Sequence, residues 1–370
     1  MTRTRSWSRR LGTLSLALLA CAAASQVQAQ TPAPNPAPTP TPAPEPPKID
    51  VTGFVDVYYG YNFNQVDPIA RTFDVQHNTF SLSLAEIAFA KGVSADSRVG
   101  FRADLDFGKT ADLVAAYEPE SDGKEIYKHI QQAYLSLLTG KVQWDAGKFV
   151  TPIGAEVIEA GDNWNYTRGV LFGYAIPFYH VGVRATVPVN DKLSLAGYLV
   201  NGWNNSSEVN GGKTGAIGLT WKPNAKWTWI ANDMFGKETA GSNDTRNLFD
   251  TTLTYAPGKL SLMANFDYGT EGDVSWWGIA GYAKYQAKPN WALVGRYEYN
   301  DDTDGFMTFG TKVQSFTVTS DHLVAGGLKL RLEYRTDFAD EAIFPKDDGS
   351  DEKSQTTLTV GLVYGFGGKI

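Results

Sequence analysis

Strict alternation of apolar and charged residues in one short segment constrains the fold of this chain more than any other feature. Residues 99–108 read VGFRADLDFG, so that Val99, Phe101, Ala103, Leu105 and Phe107 alternate with Gly100, Arg102, Asp104, Asp106 and Gly108. Successive side chains of a β-strand point to opposite faces, which makes one face apolar and the other charged. The pattern fits a soluble sheet, and it fits equally well a membrane barrel whose apolar face meets lipid.

The rest of the chain favours the barrel. No apolar run long enough for a transmembrane helix follows Pro47. We count instead about sixteen short runs of period two, from 48–63 to 353–366. Tight connections such as 222–226 and 257–259 follow the even-numbered runs, and mostly long, polar ones follow the odd-numbered runs. This alternation predicts an all-β fold, a transmembrane antiparallel up-and-down β-barrel with long extracellular loops and short periplasmic turns.

The charged face of these strands is expected to line the lumen. The candidates on it are Arg98, Arg102, Asp104, Asp106, Arg184, Arg331, Glu333 and Arg335. Burial of so many charges away from water would be very costly, whereas a barrel of this size has room for water. We therefore expect a hydrated lumen, with Phe101 and Leu105 facing lipid. Aromatic residues near strand ends, among them Trp203, Trp221 and Trp227, predict interfacial girdles.

The second run breaks its own alternation. Phe80, Leu82 and Leu84 share one parity, whereas Ile87 and Phe89 take the other. A β-bulge near residue 85 would explain the change of parity. A strand placed wrongly by the pattern would explain it as well.

The N-terminus is typical of an exported protein. Residues 1–29 combine four Arg, a short apolar stretch and a small-residue cleavage site, which predicts a signal peptide. The competing interpretation is lipidation at Cys21, the single cysteine. Residues 30–47 alternate Pro with small residues and predict an extended periplasmic linker, followed by the barrel over 48–370. Because residues 1–29 hold four Arg and no acid, their removal takes the net charge from −7 to −11, which argues against a nucleic-acid partner.

Several segments carry a resemblance to a known family. They are Gly53-Phe54 in the first strand, DAGKFVTPIGAE at 145–156, DNWNYTRG at 162–169, PFYHVGVRATVPV at 177–189 and NGWNN at 201–205. On these motifs, residues 48–366 resemble the β-barrel porin-2, or OmpL-like, family of Gram-negative outer membranes. The resemblance implies a passive channel for small hydrophilic solutes or ions, and it leaves the solute open.

The longest connection, 151–177, is the third outside loop by our count. In general porins of this size the third loop folds into the lumen, so the resemblance makes this segment the candidate pore constriction. Glu156, Glu159 and Asp162 would supply negative charge and Arg168 a positive counterpart. The basic wall residues would then face them across the pore and set selectivity. The alternative is a solvated loop that folds on itself outside the barrel.

Nothing in the sequence marks catalysis or a cofactor. The four His residues lack the spacing of a metal site, and no phosphate-binding loop precedes a helix. We therefore expect no enzyme activity, no metal and no cofactor. The expected partners are outer-membrane lipid and lipopolysaccharide, the barrel-assembly machinery through the last strand, and further copies of the chain in a homotrimer. The alternative function is that of an adhesin or an envelope tether without transport.

Overall fold

A closed antiparallel barrel of sixteen strands accounts for most of the chain. The computed structural model describes residues 48–116, 118 and 127–369, so the predicted signal peptide and linker lie outside the described residues. The barrel strands are β1 (Asp50–Asn62), β2 (Thr79–Lys91), β3 (Val99–Phe107), β4 (Ile130–Thr139), β5 (Val142–Val150), β6 (Tyr179–Asn190), β7 (Leu193–Val200), β8 (Thr214–Asn224), β9 (Trp227–Gly236), β10 (Arg246–Tyr255), β11 (Leu260–Glu271), β12 (Val274–Lys288), β13 (Trp291–Asp301), β14 (Lys312–Ala325), β15 (Leu328–Ala339) and β18 (Ser354–Lys369). The predicted fold class and strand count are confirmed.

Strand pairing follows chain order around the whole barrel. Each strand pairs with its sequence neighbours, and β1 closes the sheet against β18, with Asp50 opposite Lys369. A closed sheet leaves no unpaired edge, as a lipid environment requires. Between β15 and β18, the short strands β16 (Phe344–Pro345) and β17 (Asp351–Glu352) form a hairpin in the connecting loop. The last strand runs three residues past Phe366, further than the pattern predicted.

Short turns and long loops occupy opposite ends of the barrel, as predicted. Residues 140–141, 289–290 and 326–327 form turns of two residues each. The exception at the long-loop end is the link between β11 and β12, which is also only two residues long, at 272–273.

Exposure of the side chains confirms which face of the strands looks outward. In β3, Val99 and Phe107 are 58 % and 47 % exposed, whereas Asp104 is fully buried. Trp221 and Trp227 are exposed on the outer surface, as expected of girdle residues. The prediction for Trp203 is wrong, because this residue is buried in a cluster with Trp276 and Phe306.

The parity break in β2 is a β-bulge. The register against β1 shifts between Asp56 and Val57, which pair with Leu84 and Leu82, so that Ser83 is the extra residue. Helix α1 (Lys109–Ala115) lies against the bulge, with the Thr110 hydroxyl 3.1 Å from that of Ser83. The approach requires glycine at 108, since its φ is +121° and a Cβ there would lie 2.7 Å from the Ser83 carbonyl oxygen.

Side chains from the loops fill more of the barrel interior than the prediction of a hydrated lumen implied. The third loop carries a single π-helical turn (Leu171–Ala175) whose Leu171 and Phe172 are buried. Phe73 from the first loop and Phe178 from the third pack against Phe172, with ring centroids 6.2 and 5.3 Å apart. Apolar loop side chains inside the barrel thus bury one another, and water is left to only part of the lumen.

Within the described ranges, no helix combines the length and the apolar character needed to cross a bilayer.

Candidate pore constriction

The connection between β5 and β6, residues 151–178, lies inside the barrel, and we call it the inner loop. The Lys329 ammonium donates a hydrogen bond to the Gly161 carbonyl at 2.7 Å. Lys329 is the second residue of β15, immediately after a tight turn. The inner loop therefore reaches from the long-loop end of the barrel to the level where the strands turn back. This places the predicted constriction segment within the lumen.

Three arginines of the barrel wall bind the backbone of the inner loop. Arg331 donates to the carbonyls of Ala160, Asn163 and Asn165 at 2.5, 2.7 and 3.1 Å. Arg335 in the same way binds the Arg168 carbonyl at 2.6 Å, and Arg296 binds the Thr167 carbonyl at 2.6 Å. Each guanidinium offers five donors in a fixed fork, which suits it to satisfy several carbonyls of a non-helical backbone.

Acidic wall residues bind the amide side of the same backbone. The Glu333 carboxylate accepts from the amides of Tyr166 and Thr167 at 2.6 and 3.0 Å. The Tyr166 hydroxyl donates to Asp56 at 2.8 Å, and its ring lies over Gly361, where any Cβ would collide with it. Because both donors and acceptors of the loop are satisfied by wall side chains, the loop is held in one position.

Two of the predicted constriction residues are part of this attachment. The Glu156 carboxylate pairs with Arg296 at 2.7 Å and accepts from the Gly169 amide at 2.6 Å. Arg168 is buried, donates to the Tyr166 carbonyl at 2.8 Å and to that of Ile158, and stacks its guanidinium over the Phe73 ring. Both side chains are thus engaged in contacts within the inner loop and with the wall that anchors it.

The opposite side of the inner loop borders a cavity of about 680 Å³. The loop contributes Glu159 and Asp162, and the facing wall, strands β2 to β6, contributes Glu86, Arg102 and Arg184. Arg102 pairs with Asp104 at 2.7 Å and Arg184 with Asp145 at 2.8 Å, in both cases through Nε. The cavity therefore carries both signs of charge on its walls.

The structure separates the predicted site residues into groups. Glu159, Asp162, Arg102 and Arg184 border one cavity. By contrast, Glu156, Arg168, Arg331, Glu333 and Arg335 join the inner loop to the wall and are buried there. Asp104 and Asp106 point inward and are also buried. Arg98 lies in the turn before β3, is exposed, and donates to the Leu138 carbonyl at 2.9 Å, outside both groups.

Sequence reasoning missed several charges that hold the inner loop and its neighbours. Arg296 pairs with Glu298 at 3.2 Å, and Arg71 of the first loop pairs with Asp337 at 2.8 Å. The sequence does contain a signal for the inward face of β13, because Arg296, Glu298 and Asn300 alternate with tyrosines. For Arg71, which belongs to no strand, the sequence holds no comparable signal.

The described residues offer no metal site, since no three His, Cys, Asp or Glu side chains are grouped to hold an ion. His180 is buried, and its ring nitrogens lie 2.9 Å from the Gly202 carbonyl and 3.1 Å from the Thr151 hydroxyl. Those contacts give this histidine a structural role at the base of the inner loop.

A pH dependence of ion selectivity is expected from Glu159. Burial raises the pKa of this carboxyl above that of an ordinary glutamate, although a hydrogen bond from Gln131 at 2.7 Å opposes the shift. As the pH falls through the raised pKa, the carboxylate gains a proton, so cation preference should decrease at a higher pH than a solvated glutamate would give. Reversal potentials in a salt gradient from pH 4 to pH 8 measure this, and Glu159→Gln should abolish the step. An unchanged step in Glu159→Gln would assign the titration to another group.

A closed sixteen-stranded barrel with a charged interior and an inward third loop defines the class of channel-forming outer-membrane proteins. Within that class, the chain belongs to the β-barrel porin-2, OmpL-like, family, whose profile matches residues 48–366. It is a porin located in the bacterial outer membrane, in agreement with the resemblance seen in its motifs. A search of curated proteins returned no match.

Solved porins share the fold at low sequence identity. The outer-membrane channel DcaP of Acinetobacter baumannii is 14 % identical over 86 % of this chain and 97 % of its own, with a TM-score of 0.60. The anion-selective porin from Comamonas acidovorans is 13 % identical over 86 % and 99 %, with a TM-score of 0.59. The trimer form of OmpT from Vibrio cholerae is 12 % identical over 86 % and 99 %, with a TM-score of 0.57. At these identities the likeness concerns the fold alone.

Proposed function

We propose that small hydrophilic solutes and ions diffuse passively between the inner loop and the wall of strands β2 to β6. The observation that carries the proposal is the lining of the cavity. It runs from Gly327 and Gly365 near the tight-turn end to Val150, the last residue of β5, at the other end. A path along one wall follows, because the inner loop occupies the space beside the opposite wall.

Charges on the two sides of this path would act as the selectivity filter. Glu159 and Asp162 project from the loop, and Arg102 and Arg184 from the wall. Opposed charges in a narrow aqueous passage create a local electric field across it. This field orients dipolar solutes and sets how readily cations and anions pass. No cofactor is needed for such a mechanism, and we propose no enzymatic activity.

Single-channel conductance tests the proposal directly. The refolded chain in a planar bilayer should give discrete, long-lived current steps in salt solution. A folded and inserted protein that gives no current would contradict the proposal and favour the adhesin or tether function. Heat-dependent migration in gels can show folding independently of conduction.

Shortening the inner loop should raise the conductance several-fold, because residues 157–168 occupy lumen space that water would then fill. Replacement of these residues by a short Gly-Ser linker is the test variant. Removal of the largely exposed residues 239–245 from the outer loop between β9 and β10 is the control. Equal conductance in the two variants would place the narrowest point of the path elsewhere.

The remaining features of the protein fit this function as proposals. Cleavage after Ala29 would leave an extended linker in the periplasm, and the final strand would engage the barrel-assembly machinery. Exposed apolar residues around the barrel would contact lipid and lipopolysaccharide. A homotrimer, the form of one OmpT structure, is the oligomer we propose, and cross-linking in native membranes tests it.

A further inference from the structure

We infer that the cavity beside the inner loop is a two-point binding site for a small zwitterionic solute, with its oxyanion on Arg102 and Arg184 and its cationic group on Asp162. The inference rests on the proposed diffusion path and adds the class of solute. It starts from the donors and acceptors that remain free once the inner loop is anchored.

The donors come from two guanidiniums on the wall. Arg102 uses only Nε, which donates to both Asp104 oxygens at 3.0 and 2.7 Å. Arg184 likewise uses only Nε, toward Asp145 at 2.8 Å. Among the described residues, the terminal nitrogens of both guanidiniums donate no hydrogen bond to the protein. Two forks of this kind suit the planar geometry of a carboxylate.

The positions of these two donors are fixed by their neighbours. The Arg184 guanidinium lies over the rings of Tyr134 and Phe149, with distances of 5.0 and 4.8 Å to the centroids. Arg102 sits directly opposite Tyr134 in the pairing of β3 with β4. The Asp104 and Asp145 carboxylates hold the Nε side of each arginine, so the terminal nitrogens remain on the cavity side. Such preorganisation lowers the entropic cost of binding.

The acceptor comes from the inner loop. Asp162 is exposed to the cavity, and its carboxylate makes no ion pair or hydrogen bond with the described part of the chain. A solute ammonium would give this carboxylate a counter-charge, which a neutral or anionic solute cannot do.

Both signs of free charge thus face one cavity of about 680 Å³. An anion alone would leave Asp162 without a counter-charge, and a cation alone would leave the two guanidinium forks unsatisfied. A solute that carries both charges satisfies all three groups, which is the reason to prefer a zwitterion over a simple ion.

Swelling of proteoliposomes that contain the full-length channel tests the inference with four solutes built on one carbon skeleton. Alanine is the zwitterion, lactamide the neutral analogue, lactate the anion and alaninamide the cation, with an ionophore to carry counter-ions. At low solute concentration alanine should enter about fivefold faster than lactamide, which is the effect of one solvent-accessible charge pair.

Variants assign the effect to the cavity. Arg102→Lys with Arg184→Lys keeps the charges but removes the forks, and should reduce the alanine rate to that of lactamide. Asp162→Asn removes the charge that pairs with the solute ammonium and should likewise reduce the alanine rate to that of lactamide. Arg98→Lys, in a turn outside the cavity, is the matched control and should leave all rates unchanged. Lactamide entry that stays constant across the variants shows that the channel is folded and open.

Three results would overturn the inference. Fastest entry of lactate would show that the site binds an oxyanion alone, and fastest entry of alaninamide that it binds a cation alone. Equal rates for the four solutes would show that no site exists. Failure of the proposed channel function is distinguishable, because then neither lactamide nor potassium chloride would pass.

Discussion

Arg296→Met should destabilise the protein by about 3–5 kcal/mol and release the inner loop, since breaking a buried ion pair leaves its partners charged and unpaired. Arg296 is fully buried, and it pairs with Glu156 at 2.7 Å and with Glu298 at 3.2 Å. Two carboxylates would lose their counter-charge at once. Urea unfolding in lipid vesicles measures the stability, and an increase in conductance reports the released loop.

Two further variants test whether the cost arises from the stranded carboxylates. The triple variant Arg296→Met, Glu156→Gln, Glu298→Gln removes all three of these buried charges, so neither carboxylate is left unpaired and part of the lost stability should return. Lys346→Met is the external control, because Lys346 pairs with Glu352 on an exposed hairpin and its loss should leave both readouts unchanged. A triple variant less stable than the single one would contradict the explanation by unpaired charge.

Leu332→Arg should destabilise the barrel by about 2–4 kcal/mol, the cost of a cationic side chain on the lipid face near the bilayer midplane. Leu332 lies near the middle of β15 and is 45 % exposed on the outer face of the barrel. Its neighbours Arg331 and Glu333 point inward to the inner loop. Unfolding of the variant in vesicles, compared with the parent protein, gives the difference.

The matched control places the same side chain on the other face. Thr186 of β6 points into the lumen, where an added arginine can remain hydrated. Thr186→Arg should therefore have little effect on stability and should change the reversal potential instead. Equal loss of stability in the two variants would show that the faces are assigned wrongly.

The strands could be predicted because the bilayer imposes a local rule. Alternation in residues 99–108 was sufficient to orient Val99 outward and Asp104 inward, and the parity break in the second run located a real bulge at Ser83. These features depend on residues adjacent in sequence. The prediction for Trp203 was wrong because burial depended on Trp276 and Phe306, which are distant in the chain.

For the same reason, the sequence could not predict which inward charges anchor the inner loop and which border the cavity. Arg331 and Arg102 carry the same signal, an arginine on the inward face of a strand. The first binds three carbonyls of a loop more than 160 residues away, and the second borders the cavity. Whether an inward arginine anchors the inner loop or borders the cavity depends on the wall against which the loop lies. The position of the loop is a property of the closed barrel.

The concentration of the charged anchors of the inner loop on one wall makes stability and permeability separable properties of this barrel. Strands β13 and β15 supply the three arginines and the glutamate that bind the backbone of the inner loop, so their inward charges are constrained by folding. Strands β2 to β6 face the open cavity, and the exposed head of a residue such as Arg102 is not needed to keep the loop in place. Natural variation or laboratory selection can therefore change the accepted solutes on one half of the circumference while the other half preserves the architecture.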